Sequence, residues 1–270
     1  MRFRFLFQKL ELNITMPNKI VFCSIFLSIL SFAALAQKGE DNETRLQKGE
    51  DLNVIYRNEA SFGVFAHSEG GLGISYRRGR QVTVEHKRMF EIETQNFKHP
   101  KEVKSVSSLG QGAKGYVYGK LNSFLIFRPG LGYQNRLYQK TDKKSVEIRY
   151  AYFLGATINL AKPAYLEIRN SQNDQTSTIE RYNPELHNQT NIYGKAPFLS
   201  GIEKTTIYPG GYARFALSAE YSNRYNGVKA IETGALVDIY PQVIPMMAYN
   251  ENQQVFVELY LKIMFGKKWF

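Results

Sequence analysis

The sequence predicts an all-β fold: an eight-stranded antiparallel up-and-down transmembrane β-barrel with long extracellular loops. Three observations predict it. From about Tyr56 onward, apolar and polar residues alternate with the period of two that belongs to strands. The row opposite the apolar row mixes charged residues with very small ones. The connections between the predicted strands alternate between short and long along the chain.

The chain begins with the pattern of a secretory signal. Lys19 precedes an apolar run over residues 20–36, and the run ends in Ala34-Leu35-Ala36, which is typical of a cleavage site. Met16 lies just ahead of Lys19 and is an alternative start. The alternative interpretation is an uncleaved anchor, because the run is close to the lower limit for a spanning helix. We predict a signal peptide over residues 1–36 and therefore an exported protein.

Composition narrows the class of protein further. The single cysteine, Cys23, lies within the signal, so the mature chain can form no disulfide and no thiolate metal site. The formal net charge of the whole chain is +11, and a basic exported protein suits anionic lipid headgroups better than nucleic acid. The chain has no Walker loop, no dinucleotide-binding GxGxxG, no HExxH and no GxSxG. We therefore expect no cofactor, no bound metal and no nucleic-acid partner.

The region after the signal divides into a linker and a barrel. Residues 37–55 are polar and read as a flexible linker, and residues 56–270 contain the predicted strands. In chain order, the apolar rows are Phe62, Val64 and Ala66; Leu72, Ile74 and Tyr76; Phe90 and Ile92; Leu125, Phe127, Leu131 and Tyr133; and the alternate residues of 148–160, 213–221, 231–239 and 255–265.

Two of these rows contain a residue that does not fit a regular strand. Pro129 falls on the apolar row of the fourth strand, where we expect either a bulge or a gap in the ladder. Strict alternation also puts Arg78 and Arg80 on the apolar row of the second strand. That strand therefore needs a bulge at Gly79, or its apolar zone ends there. The number of strands near residues 77–85 is open at this point.

The aromatic residues indicate which face of the barrel meets lipid. They collect at strand ends that share one rim in an up-and-down barrel, as interfacial aromatic girdles do. These residues are Tyr133, Tyr138, Tyr150, Tyr152, Tyr221, Tyr225, Phe265, Trp269 and Phe270. The short connections and the last strand reach the same rim. We therefore expect the apolar row to face lipid, and the alternative is a soluble periplasmic barrel with that row inside.

The whole pattern over residues 56–270 resembles the small eight-stranded outer-membrane barrels of the OmpA/OmpX type, and uncharacterised Gram-negative outer-membrane proteins. The end of the chain resembles the signal by which the outer-membrane assembly machinery recognises its clients, with Phe265, Trp269 and Phe270 as its residues. Phe270 is out of phase with Phe265, which we ascribe to a short tail after Phe265. The resemblance implies outer-membrane localisation, contact with outer-membrane lipid and lipopolysaccharide, and a monomer.

The inward row of the predicted barrel carries charges of both signs. We expect them to form an ion-pair network that fills the barrel, since charges away from bulk water must be paired. The alternative is a narrow channel, although eight strands enclose space only for side chains or one small ligand. The residues are Arg128, Glu147, Arg149, Arg214, Glu220, Glu232, Asp238, Glu258 and Lys262.

One predicted outer loop is rich in lysine. It holds Lys98, Lys101, Lys104, Lys114 and Lys120 against a single acid, Glu102. On the outer surface these lysines are candidates for contact with lipopolysaccharide phosphates. The alternative is a solvated charge run.

Histidine and serine could in principle make a barrel of this kind an enzyme that modifies lipid A. Here the one cluster of that type is His67 beside Ser68 and Glu69. Adjacent residues of a strand point to opposite faces, so Ser68 does not meet His67 directly unless the chain turns there. We therefore predict no catalytic residue, and a structural or cell-surface interaction role.

Overall fold

The computed structural model describes residues 56–107, 113–139, 145–169, 176–222 and 227–270. The predicted signal over residues 1–36 and the predicted linker over residues 37–55 lie outside this part of the chain, as does Tyr225.

Strands make up most of the described chain. In chain order they are β1 (Asn58–His67), β2 (Leu72–Gln81), β3 (His86–Phe97), β4 (Lys104–Ser105), β5 (Tyr116–Val117), β6 (Asn122–Tyr138), β7 (Glu147–Pro163), β8 (Tyr165–Ile168), β9 (Thr178–Arg181), β10 (Ile192–Lys195), β11 (Thr206–Glu220), β12 (Gly227–Ile239) and β13 (Val255–Trp269). A 3-10 turn over Ile202–Lys204 precedes β11. Across the described ranges, no helix is long and apolar enough to cross a membrane.

Eight of the strands close into one barrel in the order β1-β13-β12-β11-β7-β6-β3-β2. Every neighbouring pair in this order is antiparallel, and barrel strands that follow one another along the chain are neighbours in the barrel. This up-and-down barrel confirms the predicted fold class. It has two ends, which we call the inner end, with the β2–β3, β6–β7 and β11–β12 connections, and the outer end, with the β3–β6, β7–β11 and β12–β13 connections.

The long connections at the outer end have structure of their own. β4 pairs with β5, and β8 lies between β9 and β10 in a separate three-stranded sheet. Five apolar side chains form the core of this region: Tyr116, Leu166, Ile168, Tyr182 and Ile192. A second apolar cluster, which includes Phe97, Ile126, Ile244 and Met246, covers the mouth of the barrel. We call the connections at this end, which are the described residues of 98–121, 164–205 and 240–254, the outer cap.

The two faces of the barrel wall differ in chemistry. Apart from the cations near the inner end, outward side chains are mostly apolar and exposed: Phe62 is 67% exposed and Leu154 is 66% exposed. Inward side chains are buried and include all the acids of the eight barrel strands. These acids are Glu59, Glu91, Glu93, Glu147, Glu220, Glu232, Asp238 and Glu258. The arrangement is the reverse of a water-soluble barrel, whose charges face outward.

The two irregular positions are now explained. β2 pairs with β1 and with β3 in unbroken register through Gly79, so there is no bulge there. Arg78 and Arg80 therefore point outward, at the end of the apolar zone. The ladder between β6 and β7 skips Arg128 and Pro129 and resumes at Gly130 without a shift, which is the expected gap.

The expectation of a short tail after Phe265 is wrong. β13 continues to Trp269, which pairs with Asn58 of β1. The strand continues because β1 offers ladder partners down to that level. Trp269 is in phase with Phe265 on the outward face, Lys267 also points outward, and Lys268 points inward.

A pair of glycines makes room for one tyrosine ring against the inner face of the barrel wall. Gly130 of β6 pairs directly with Gly155 of β7. A Cβ atom at Gly130 would lie 1.9 Å from the hydroxyl of Tyr212, and one at Gly155 would lie 2.2 Å from the carbonyl oxygen of Pro129. The missing side chains leave the space in which the Tyr212 ring lies.

Candidate functional site in the barrel interior

Charged side chains fill the barrel in three layers, and the first lies at the inner end. Arg149 is its centre: Nε donates to Glu147 Oε1 at 2.7 Å, and Nη2 lies 2.7 Å from Glu220 Oε2. Lys268 Nζ donates to Glu220 Oε1 at 2.6 Å, and Lys87 is paired with Glu59. The layer holds as many cations as acids.

The middle layer is the most deeply buried. Arg77 donates to Glu91 Oε2 from Nε at 3.0 Å and from Nη2 at 2.9 Å, and it also donates to both carboxylate oxygens of Glu232 at 2.6 and 2.8 Å. Lys262 Nζ donates to Glu91 Oε1 at 2.7 Å and also pairs with Glu93. Arg214 pairs with both Glu91 and Glu93. Three cations thus face three acids, and Glu91 contacts all three cations.

Aromatic rings fill the space around these middle-layer cations. The centre of the Phe153 ring lies 4.9 Å from the guanidinium group of Arg77 and 4.3 Å from that of Arg214. Lys262 Nζ lies 5.0 Å from the centre of the Phe65 ring. The negative faces of the rings stabilise cations that are already shielded from water. The cation–aromatic contacts help to fix where each charge lies.

The outer layer surrounds Arg128. Its Nε donates to Asp238 Oδ1 at 3.1 Å, and its Nη2 donates to Glu258 Oε1 at 3.1 Å. Thr157 Oγ1 donates to Asp238 Oδ1 at 2.6 Å. Gln95 Nε2 donates to Glu258 Oε2 at 2.9 Å. Two carboxylates therefore share one arginine, and hydroxyl and amide donors complete their hydrogen bonding.

The network leaves no water-filled passage along the part of the barrel that the structure describes. Glu91 and Lys262 are 0% exposed, and Arg77 is 2% exposed. Side chains that line a water-filled pore would be exposed to it. A void at the outer end, lined by Asn159, Tyr240 and apolar side chains, has room for about one water molecule. The geometry is that of a plugged barrel.

All nine charged residues predicted for the interior face it, and the structure brings them together with others that the prediction left out. The additional members are Glu59, Arg77, Lys87, Glu91, Glu93 and Lys268. The alternation in the sequence does indicate an inward position for three of them, because Arg77, Glu91 and Glu93 lie on the polar rows of their strands. Lys268 was missed because the last strand was expected to end at Phe265.

His67 and Ser68 do not form a nucleophile–base pair. His67 is 2% exposed and points inward, with Nε2 3.2 Å from the carbonyl oxygen of Asn96 and Nδ1 3.3 Å from Glu258 Oε2. Ser68 Oγ accepts a hydrogen bond from the Leu259 backbone at 3.2 Å. The imidazole is therefore part of the outer layer, and neither side chain is open to a lipid substrate.

The five predicted loop lysines lie in different surroundings. Lys120 Nζ donates to Glu102 at 2.7 Å in a half-buried pair, and Lys101 Nζ donates to Asn250 Oδ1 at 2.9 Å. Lys114 is 67% exposed, with Glu167 at 3.8 Å, while Lys98 and Lys104 are exposed. They do not converge on one point. Their contact with lipopolysaccharide stays a prediction.

The outer cap contains one polar cluster with a defined hydrogen-bond direction. Thr178 Oγ1 donates to Glu180 Oε1 at 2.9 Å, and His187 Nε2 lies 3.2 Å from Glu180 Oε2. The Asn183 backbone donates to His187 Nδ1 at 3.0 Å, which places the imidazole hydrogen on Nε2. These two donors, Thr178 first, lower the pKa of Glu180 from its ordinary 4.5. In the described chain, no group of three or more His, Cys, Asp or Glu residues could hold a metal ion.

Comparison with models of protein families and with curated proteins finds no match. Solved structures similar to the chain include Neisserial surface protein A, with 9% sequence identity, a TM-score of 0.36, and coverage of 79% of this chain and 95% of that chain. The attachment invasion locus protein Ail of Yersinia pestis has 8% identity and a TM-score of 0.37, with 79% and 97% covered. The N-terminal β-barrel domain of Pseudomonas aeruginosa OprF has 7% identity and a TM-score of 0.33, with 78% and 99% covered. Similarity at this level carries no argument about function, and the fold rests on the strand pairing itself.

Proposed function

We propose that the protein is an integral outer-membrane β-barrel with a structural or cell-surface interaction role and no catalytic activity. The observation that carries the proposal is the inverted barrel wall, with exposed apolar side chains outside and all the barrel acids inside. Such a wall is stable only where the outer face meets hydrocarbon. Residues 1–36 would direct export, and Phe265, Trp269 and Phe270 would be read by the outer-membrane assembly machinery.

The outer cap supports an interaction role. It is a folded region with its own apolar core, so it presents a defined surface at the outer end of the barrel. Several apolar side chains of the cap are exposed, and exposed apolar groups often mark binding surfaces. The most exposed are Val103, Val106, Leu186, Phe198, Leu199 and Tyr249.

Fractionation of cells that express the processed protein, followed by gel electrophoresis with and without boiling in detergent, tests the proposal. We expect recovery in the outer membrane and a band whose mobility changes on boiling, because the closed barrel resists detergent until heated. Recovery in the soluble periplasmic fraction would favour the soluble-barrel alternative and overturn the proposal.

The absence of catalysis is tested separately. His67→Ala should leave the lipid A mass spectrum of the cells unchanged, because the His67 side chain is enclosed between Asn96 and Glu258. A strain without the gene provides the control. A lipid A species that disappears both in this strain and in the His67 variant would instead support a lipid A-modifying enzyme.

We also propose that loop lysines contact lipopolysaccharide phosphates. They are Lys98 and Lys104, which are exposed, and Lys114, which is weakly paired with Glu167. Replacing these three by Gln should increase outer-membrane permeability to an apolar dye, since bridging cations would be lost. Lys101→Gln serves as a control, because Lys101 is bonded to Asn250. An unchanged barrier in the triple variant would leave only a solvated charge run.

A further inference from the structure

The outward face of the barrel carries a group of cations at its inner end. They are Arg78 and Arg80 of β2, Arg88 of β3, Lys229 of β12 and Lys267 of β13, and all five side chains are exposed. The strands β12, β13, β1, β2 and β3 are consecutive around the barrel. The cations therefore occupy one continuous sector of the wall, which we call the basic arc.

The strand register brings like charges together in the basic arc. Arg80 and Arg88 are direct ladder partners. Lys267 and Arg78 are separated only by Ala60, the ladder partner of both. Like charges directly opposite each other on neighbouring strands destabilise a sheet. An unliganded protein therefore carries a repulsion here that an anion would relieve.

No acidic side chain compensates for this charge. All the acids of the barrel strands point into the lumen, and within the described ranges none of the five cations lies within 4.0 Å of a carboxylate. Arg88 has an aromatic contact, with its guanidinium 6.0 Å from the centre of the Tyr133 ring. Glu85, in the β2–β3 turn, is the acid nearest to Arg80 along the chain and is exposed to solvent.

The basic arc adjoins the apolar band directly. Lys229 is the ladder partner of Phe265, and Arg78 is the ladder partner of Phe90. A ligand for this surface must therefore present a negative charge beside hydrocarbon. On the opposite sector, β6 and β7 carry tyrosines at the same end, Tyr133 and Tyr152 among them.

We propose that the basic arc binds the phosphate headgroups of anionic phospholipids in the leaflet at the inner end of the barrel. The inference rests on the proposed membrane insertion. Arginine guanidinium groups match phosphate oxygens in pairs of hydrogen bonds, and a phosphate between Arg80 and Arg88 converts their repulsion into two attractive contacts. The acyl chains of the same lipid then lie along the apolar residues Phe62, Phe90 and Phe265.

The test compares the wild type with Arg80→Gln/Arg88→Gln in vesicles of phosphatidylcholine alone and with added phosphatidylglycerol. In phosphatidylcholine we expect the double variant to unfold at an equal or higher urea concentration than the wild type, because the repulsion is gone. Phosphatidylglycerol should raise the midpoint of the wild type and leave that of the variant almost unchanged. The matched control, Arg181→Gln/Lys195→Gln, removes two exposed cations from the outer cap and should respond like the wild type.

Native mass spectrometry of the protein released from mixed vesicles gives a direct reading of bound lipid. We expect the wild type to retain phosphatidylglycerol in preference to phosphatidylcholine. The ratio of the two bound lipids should fall about five-fold for each arginine removed. Equal retention of both lipids by the wild type would overturn the inference. So would a double variant that retains phosphatidylglycerol like the wild type but no longer retains lipopolysaccharide added to the vesicles. That result would place the anion site in the other leaflet. Failure to float with vesicles would instead refute the membrane insertion itself.

Discussion

Glu91 is the residue on which the middle layer of the interior network depends. Its carboxylate contacts Arg77, Arg214 and Lys262, and it is 0% exposed. Removing one partner of a buried ion pair leaves uncompensated charge out of reach of water. Glu91→Gln should therefore lower the free energy of unfolding by about 3 kcal/mol, measured by urea titration in detergent.

The control for this prediction is Glu185→Gln, which removes an exposed acid from the outer cap and should change the free energy of unfolding little. The double variant Glu91→Gln/Arg214→Gln should recover part of the loss, because it removes a cation with the acid. A single variant as stable as the wild type would contradict the central role of Glu91.

Glu180 gives the outer cap a dependence on pH. Hydrogen bonds from Thr178 and His187 lower its pKa from 4.5 in the folded state. The stabilisation is therefore fully present above pH 4.5 and is lost as the pH falls through the lower folded value. NMR titration of the Glu180 carboxyl carbon and the Thr178 side chain should show the transition below pH 4.5, and Glu180→Gln should abolish it. A transition above 4.5 would contradict the assignment.

Sequence patterns could predict which residues point inward but not which of them form pairs. The period of two alone places Arg77, Glu91 and Glu232 on polar rows. Arg77 and Glu232, however, are 155 residues apart in the chain and meet across the lumen. Their pairing depends on barrel closure and register, which single-strand alternation does not contain.

At the scale of elements, the contact between β6 and β7 depends on glycines. A Cβ atom at Gly155 would lie 2.2 Å from the Pro129 carbonyl oxygen and 2.6 Å from Gly130 Cα, both of them backbone atoms that cannot rotate away. Gly155→Ala should therefore lower the free energy of unfolding by about 1–3 kcal/mol. Urea titration of the refolded variant measures this change.

Gly211 provides a matched control for Gly155. The nearest atom to a Cβ at Gly211 is 3.7 Å away, an ordinary van der Waals contact, and no positive φ is recorded there. Gly211→Ala should therefore be neutral or slightly stabilising, since alanine reduces the entropy of the unfolded chain. Equal losses from the two substitutions would show that loss of glycine flexibility, and not crowding, is the cause.

The long strands could be predicted from the sequence, and the short strands of the outer cap could not. The rows of 148–160 and 255–265 extend over many residues, so one irregular position does not hide the period. β8, β9 and β10 have four residues each, and β9 is exposed throughout. Their sheet is stabilised by packing of Leu166, Ile168 and Ile192 with residues from distant parts of the chain.

At the scale of the whole molecule, the filled lumen predicts that the protein conducts no ions. The three charged layers occupy the cross-section of the barrel, and the middle layer is shielded from water. In a planar bilayer the wild type should show no steady conductance steps in molar salt. The control is a porin reconstituted under the same conditions. Reproducible steps that grow with salt concentration would favour the narrow-channel alternative.

The ladder between β1 and β13 sets the order in which the barrel can form. Asn58 pairs with Trp269, while the other barrel ladders join barrel strands that are consecutive along the chain. Contacts between residues so distant in sequence cost the most loop-closure entropy, and they form slowly. We call this β1–β13 ladder the seam. Until the seam closes, β1 and β13 each have one unpaired edge, and the charged layers are not enclosed on that side. Closure of the seam and dehydration of the ion pairs therefore belong to the same late step of folding.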